Sequence, residues 1–265
     1  MSYALITGAS SGIGYELAKL FAKDNHNLVL VARREERLKQ LSRDLENDYK
    51  IKTMIISKDL SQSQAAQEIY DMLKQNDITI DYLINNAGFI VYGHFADTKW
   101  SEEYKMIQLH IETLTHLIKL FLPDMLRRKN GKILNIGSTG SFVPGPFNAV
   151  YCATKNYILS LSEAIAAEVN GTGVTVTALC PGGTKTEFAG RANSKNSSLH
   201  FFEVMETDKV AKIGYKALMK GKRVVIPGVL NKIQIFSIRF MPRILVSKLI
   251  KIMMSKYAKA KVVFG

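Results

Sequence analysis

Thr7-Gly8-Ala9-Ser10-Ser11-Gly12-Ile13-Gly14 is the stretch on which the reading of this chain turns. It follows an apolar run, Tyr3-Ala4-Leu5-Ile6, and opens a segment of helical period over residues 12–24. Gly8 permits a tight turn, Gly12 lets backbone approach a pyrophosphate, and Gly14 allows close packing of the helix. The N–H groups at the helix start then face an anion. The spacing G-x3-G-x-G differs from the commoner G-x-G-x-x-G. Three glycines alone also suit an ordinary strand-to-helix turn; their place between the first strand and the first helix is what points to a nucleotide.

Outward from that turn, short apolar runs alternate with longer helical segments. Strands are predicted over 3–7, 27–32, 51–56, 81–85, 132–137, 174–180 and 223–226. Helices are predicted over 12–24, 34–47, 62–75, 101–129, 149–170 and 207–220. Runs such as Leu28-Val29-Leu30-Val31 are apolar on both faces, as buried parallel strands must be. The pattern predicts an α/β fold: a doubly wound, Rossmann-like parallel sheet of about seven strands in a single domain. Ligands of such sheets bind at the C-terminal strand ends. The second strand ends in Val31-Ala32-Arg33-Arg34, where an NAD-preferring fold usually places a carboxylate for the ribose 2′-hydroxyl. Two guanidinium groups there favour the 2′-phosphate of NADP(H). Arg33 is assigned the phosphate and Arg34 a secondary part.

Composition agrees with a globular protein: of the 265 residues, 47% are hydrophobic and 22% charged. The apolar start predicts no secretory leader, and Cys152 and Cys180 make no disulfide framework, so a reducing, cytoplasmic setting is expected. No run of about 18 uncharged apolar residues reads as a membrane span. No metal is expected. The net charge of +13 is unevenly spread: residues 209–265 hold 14 Lys plus Arg and no Asp or Glu.

Tyr151 and Lys155 stand four apart in a predicted helix and so share a face. The same spacing recurs at Tyr15/Lys19, Tyr70/Lys74 and Tyr257/Lys261, which read as surface neighbours. Ser138 distinguishes the first pair, because it lies just beyond the strand that ends Leu134-Asn135-Ile136-Gly137, where a site should form. Reducing a ketone requires hydride at carbon and a proton at oxygen. A phenol needs its pKa moved from about 10 to about 7 to trade that proton readily, worth about 4 kcal/mol. A nearby ammonium and an oxidised nicotinamide supply such a field, and a serine hydroxyl orients the substrate oxygen.

With these pieces assembled, the chain resembles the short-chain dehydrogenase/reductase family over nearly its whole length. Residues Thr7 to Gly14 resemble its cofactor loop, with Gly8, Ser10, Ser11, Gly12, Ile13 and Gly14 as cofactor contacts. Asp59-Leu60 resembles the pair that contacts adenine, and Asn85-Asn86-Ala87-Gly88 the fourth-strand signature that supports sheet and cofactor. Pro181-Gly182-Gly183-Thr184-Lys185-Thr186 resembles the segment that holds the nicotinamide carboxamide, through Thr184 and Thr186. The resemblance implies that Tyr151 is the general acid/base. It implies that Lys155 lowers its pKa and bonds the nicotinamide ribose, and that Ser138 positions the carbonyl. One departure stands out. The family usually has Asn where Met106-Ile107-Gln108-Leu109-His110-Ile111 places His110; there a kinked backbone carbonyl holds a proton-relay water. His110 either keeps that relay or fills space in a helix. Residues 187–206 fall where the family has a substrate lid, with Phe188, Phe201, Phe202 and Met205 as a candidate apolar wall.

Residues 1–228 are thus expected to form the catalytic domain, and 229–265 a basic amphipathic extension packed on or beside it. From Arg243 most basic residues share one helix half, while Leu245, Val246, Leu249, Ile252 and Met253 take the other. Three uses fit: contact with an anionic membrane surface, such as the inner face of a membrane; a homodimer or homotetramer contact; or a groove wall with a solvated rim. The leading function is NADP(H)-dependent interconversion of a carbonyl and an alcohol on a mostly apolar substrate. Alternatives are a 3-oxoacyl thioester reductase of lipid synthesis, whose acidic carrier would dock on the tail, and a non-catalytic NADP-binding regulator. Nucleic acid is not an expected partner, since the tail lacks a base-stacking platform.

Overall fold

The computed structural model describes residues 2–185, 204–255 and the backbone of 261–264. Strand β1 (Tyr3–Thr7) leads through the glycine turn into α1 (Gly12–Lys23). The alternation continues through β2 (Asn27–Ala32), α2 (Glu35–Tyr49), β3 (Thr53–Ser57), α3 (Ala65–Gln75) and β4 (Ile80–Asn85). A short β5 (Phe89–Tyr92) precedes α4 (Trp100–Ile107), a π-helical segment (Gln108–Thr113), α5 (Leu114–Arg128) and β6 (Gly131–Ile136). Then come a 3₁₀ turn (Thr139–Phe142), α6 (Ala149–Glu168), β7 (Val174–Leu179) and β8 (Thr184–Lys185). The remainder holds β9 (Met205–Glu206), α7 (Thr207–Met219), β10 (Val224–Val225), α8 (Val229–Ile238), α9 (Arg243–Met254) and β11 (Lys261–Phe264).

Seven strands form one parallel sheet in the order β10-β7-β6-β4-β1-β2-β3. The period-2 alternation of a strand sends successive side chains to opposite faces. Ala4, Ile6, Leu28, Leu30 and Leu134 pack with Leu17, Phe21, Leu38, Val210 and Leu218 of α1, α2 and α7. Leu5, Val29, Val31 and Ile133 pack on the other face with Ile69, Leu117, Phe121 and Ile158 of α3, α5 and α6. Each such side chain contributes roughly 1.5–3 kcal/mol when fully buried. The result is a three-layer, doubly wound Rossmann-like domain. Successive strands run outward from β1 to β3, and β4 returns to the far side of β1. That reversal opens a crevice at the C-terminal ends of β1 and β4.

The elements depart from the predicted ones in instructive places. The long helix expected over 101–129 is three pieces, because a π segment interrupts it around His110. Strand β5 was not expected; it is four residues long and, among the described residues, pairs with β11, antiparallel, from Phe89↔Phe264 to Tyr92↔Lys261. The tail holds two helices rather than one, and Pro242 caps the start of the second. Thr186 and all of the expected lid but residues 204–206 lie outside the described residues. No described helix is long and apolar enough to cross a membrane.

Candidate active site

The glycine turn is built by close approach. Gly8 and Gly12 adopt left-handed φ of 68° and 60°, which glycine alone takes without strain. A Cβ on Gly14 would lie 2.5 Å from the Gly8 carbonyl oxygen, so the helix start is pressed onto the turn. Gly8 N–H donates to Val31 O at 2.8 Å and pins the turn to the end of β2. From the neighbouring strand end, Asn86 Nδ2 donates to Thr7 O at 2.9 Å and to Gly8 O at 3.3 Å. The Asn86 and Ala87 amides both donate to Thr7 Oγ1. Asn86 therefore fixes the turn's shape.

Arg34, not Arg33, reaches this turn. Its Nη2 donates to Ser10 Oγ at 3.0 Å and to Ser11 Oγ at 2.6 Å, and its Nε donates to Ser10 Oγ at 3.2 Å. Arg33 is exposed at the end of β2. Asp59 holds the turn after β3, accepting from Ser61 N–H and Oγ–H, while Leu60 is buried and its carbonyl accepts from Thr113. Open glycine backbone, the positive end of α1 and a guanidinium over two serines suit a nucleotide diphosphate with additional phosphate on its ribose. The residues present fit the cofactor.

The second half of the crevice lies beyond β6 and β7. Ser138 caps the 3₁₀ turn: its Oγ accepts from Gly140 N–H at 3.0 Å, and Ser141 Oγ accepts from Ser138 N–H at 3.1 Å. Ser141 Oγ donates to Lys155 O at 2.7 Å, and Asn156 Nδ2 donates to Ser141 O at 2.8 Å. These bonds tie the 3₁₀ turn to α6, the helix that carries Tyr151. Ser138 and Tyr151 flank Gly140, where an added Cβ would meet Ser138 Oγ at 3.4 Å and Tyr151 Cε1 at 3.7 Å. Lys155 is buried, with Nζ 5.7 Å from the Tyr151 ring centroid and donating to Ile136 O at 2.8 Å. The three residues singled out by spacing do converge. Thr184 follows β7, its Oγ1 donating to Gly182 O at 3.2 Å; Thr139 N–H donates to Pro181 O at 2.8 Å and links this segment to the 3₁₀ turn.

Burial sets the charge states. It pushes the Tyr151 phenol well above 10, opposed by the Ser138 hydroxyl, and lowers the Lys155 ammonium to about 8. The free protein therefore holds the phenol protonated at neutral pH. Burial also raises the Cys152 and Cys180 thiols to about 12, so neither is a ready nucleophile.

His110 has a defined place that its sequence position did not show. Its ring is 1% exposed. The Phe89 amide can only donate, so Nε2, 3.3 Å away, accepts; Nδ1 then carries the proton toward Thr154 Oγ1 at 2.9 Å. The Thr154 hydroxyl donates onward to Tyr151 O at 2.8 Å. One imidazole thus joins β5, the π segment and α6. Its nitrogens are spent on protein contacts, so the ring orients the site instead of relaying protons through its side chain. Burial and the Lys155 charge hold its pKa well below the ordinary 6.5. The unfolded chain consequently binds the extra proton between those two values. Stability should fall as pH drops below 6.5, by up to about 1.4 kcal/mol per unit, with His26 adding in the same sense. His110→Ala should cost about 2–4 kcal/mol by leaving a cavity and removing the imidazole's bonds to the Phe89 amide and Thr154. His110→Asn should cost less and flatten the acid limb; denaturant titrations across pH 5–8 check both.

Sequence reasoning missed four supports: β5, Thr154, Phe147 and Asn231. Phe147 holds a left-handed φ of 69° while its carbonyl accepts from Gly93 N–H at 2.8 Å. Asn231 of α8 is fully buried and donates to Pro227 O at 2.8 Å; a Cβ on Gly182 would lie 2.6 Å from its Nδ2. Gly182 was the available signal for that contact, since its bare backbone admits the helix.

Known proteins were compared with this arrangement. The family model described as short chain dehydrogenase matches residues 2–197. An uncharacterized oxidoreductase of Staphylococcus epidermidis is 34% identical over 182 residues, spanning 68% of this chain and 76% of that protein. A short-chain dehydrogenase from Sphingobium yanoikuyae, solved in complex with NADPH, is 31% identical with a TM-score of 0.79 over 92% of this chain and 97% of that one. A bulky-bulky ketone specific alcohol dehydrogenase from Comamonas testosteroni is 30% identical with a TM-score of 0.78, covering 91% and 92% of the two chains.

Proposed function

The chain belongs to the short-chain dehydrogenase family of nicotinamide-dependent oxidoreductases, and from that premise we propose that it uses NADP(H) to interconvert a carbonyl and an alcohol on a mostly apolar small molecule. One observation carries the reading: Ser138, Tyr151 and Lys155 converge at the same sheet edge as the glycine turn and Arg34. The NADPH complex of the Sphingobium relative supports the cofactor, and the ketone specificity of the Comamonas relative supports the substrate class.

Gly8, Gly12 and Gly14 would hold the pyrophosphate, with Ser10, Ser11 and Ile13 lining the turn. Arg34, backed by Arg33, would take the 2′-phosphate; Asp59 and Leu60 flank the adenine end. Lys155 and Ala87-Gly88 would hold the nicotinamide ribose, with Pro181, Gly182 and Thr184 around the carboxamide. Bound NADPH supplies hydride to the carbonyl carbon. Ser138 orients the substrate oxygen, and Tyr151 gives it the phenolic proton. The Lys155 ammonium stabilises the phenolate left behind. Because burial keeps the phenol protonated, reduction is the direction for which the free protein is prepared. Tyr151 packs, with Leu109 and Val150, against the buried Phe89, Val91 and Met106, so the phenol ring stands in an apolar neighbourhood.

A panel of ketones and aldehydes, followed by consumption of NADPH and of NADH, tests the assignment. Turnover of bulky apolar carbonyls with NADPH is expected. Turnover only of small charged carbonyls, or a strong NADH preference, would contradict it.

A further inference from the structure

The outer surface of α8 and α9 is unlike the rest of the protein. Among the described residues, nine of the fourteen exposed large hydrophobics fall between Val229 and Ile252. Each helix spends only a narrow seam on the domain. Asn231 and Ile235 are the buried residues of α8, and Val246 and Ile250 those of α9. Outside that seam Val229, Ile233 and Phe236 follow one another at steps of three or four residues, which lines them along one face of α8, and Phe240 extends the apolar patch in the turn just past its end. Leu245, Leu249 and Ile252 repeat the step on α9, and Phe240 and Ile252 are 76% and 70% exposed. Of the apolar half read from the sequence of α9, Val246 is buried, while Leu245, Leu249 and Ile252 stay in solvent.

Charge selects what covers this face. Lys232, Arg239, Arg243, Lys248 and Lys251 are all exposed among these apolar side chains, and residues 209–265 contain no acid. A second copy seated face to face would set these cations against their own images, which opposes association. An anionic lipid surface supplies both complements at once: acyl chains for Phe236, Phe240, Leu249 and Ile252, and headgroup charge for the lysines and arginines. An apolar stripe combined with a basic set is the two-signal arrangement that gives reversible surface binding without a spanning segment. We propose that the α8–α9 face docks the protein peripherally on anionic bilayers. Phe236 and Phe240, in edge contact at a centroid distance of 5.3 Å, enter the interface at the elbow between the helices. The inner side of α8 rests on Gly182, so docking places the back wall of the candidate active site against the membrane.

The test uses the full chain and vesicles, and reads binding without any carbonyl substrate. Sedimentation should show the protein with vesicles of equimolar phosphatidylcholine and phosphatidylglycerol, but not with phosphatidylcholine alone, and salt should weaken it. Lys248→Gln with Lys251→Gln should weaken binding about 25-fold, at about fivefold per neutralised lysine. Phe236→Ser with Phe240→Ser should weaken it at least about tenfold. An unchanged thermal midpoint and unchanged NADPH binding show that these surface variants still fold. Equal sedimentation with both vesicle types, or none with either, would overturn the proposal. So would a dimer that Phe240→Ser dissolves and anionic vesicles do not displace, because the face would then belong to a second copy.

Discussion

Replacing Tyr151 by Phe should lower kcat for NADPH-driven carbonyl reduction by about 10²–10⁴-fold, the range lost when a positioned acid is removed. The substitution deletes one oxygen from a partly buried ring that packs with Phe89, Val91 and Met106, so folding should survive. NADPH affinity should change little, because the phosphate-binding turn is built from β1, β2 and β4. The pattern matters more than the size. A structural role for the phenol would lower thermal stability along with rate, whereas an acid role lowers kcat alone. Ser138→Ala supplies a partial contrast. It removes the hydroxyl that lies beside the phenol and caps the 3₁₀ turn, so it should affect both rate and local order. Stopped-flow single turnovers with Tyr151→Phe separate the chemical step from cofactor binding. Undiminished turnover would end the mechanism.

Arg34→Ala should lower kcat/KM for NADPH by roughly 10–100-fold and leave NADH nearly unaffected. A charge-assisted hydrogen bond contributes about 1.5–3 kcal/mol, and Arg34 presents two nitrogens toward Ser10 and Ser11, where a 2′-phosphate would displace those hydroxyls as acceptors. The differential between the cofactors is the decisive readout. If Arg34 merely braces the glycine turn, both cofactors should suffer equally. Arg33→Ala should have the smaller effect, since that side chain is exposed at the strand end. Arg34→Glu should go further and bring NADH and NADPH toward parity, by repelling the phosphate. Steady-state kinetics with each cofactor at saturating ketone give the comparison.

What the sequence disclosed follows from which signals are local. The glycine spacing, the apolar strands and the Tyr151–Lys155 step are each encoded within a few residues, so the sheet and the site could be read directly. The choice between Arg33 and Arg34 could not, because it depends on which way two adjacent side chains leave a strand end. His110 was ambiguous for the same reason. Its meaning lies in Phe89 and Thr154, 21 and 44 residues away along the chain, which only the fold brings together. The π segment has no local signature either, and a helical period continues through it with a one-residue slip. Strand β5 is four residues long and finds its partner in the last residues of the chain, a pairing that no window of sequence contains. The tail's amphipathic pattern was legible, but hydrophobic periodicity marks a face without saying what covers it.

The central claim is that the Tyr151 phenol and the Lys155 ammonium share the crevice that receives the nicotinamide. A crystal structure of the protein with NADPH tests it most directly. The expected result is the ring lying between Gly88 and the Pro181–Thr184 segment, its reactive edge facing the phenol, with the 2′-phosphate on Arg34. A nicotinamide bound elsewhere, out of reach of the Tyr151 hydroxyl and the Lys155 ammonium, would overturn the assignment.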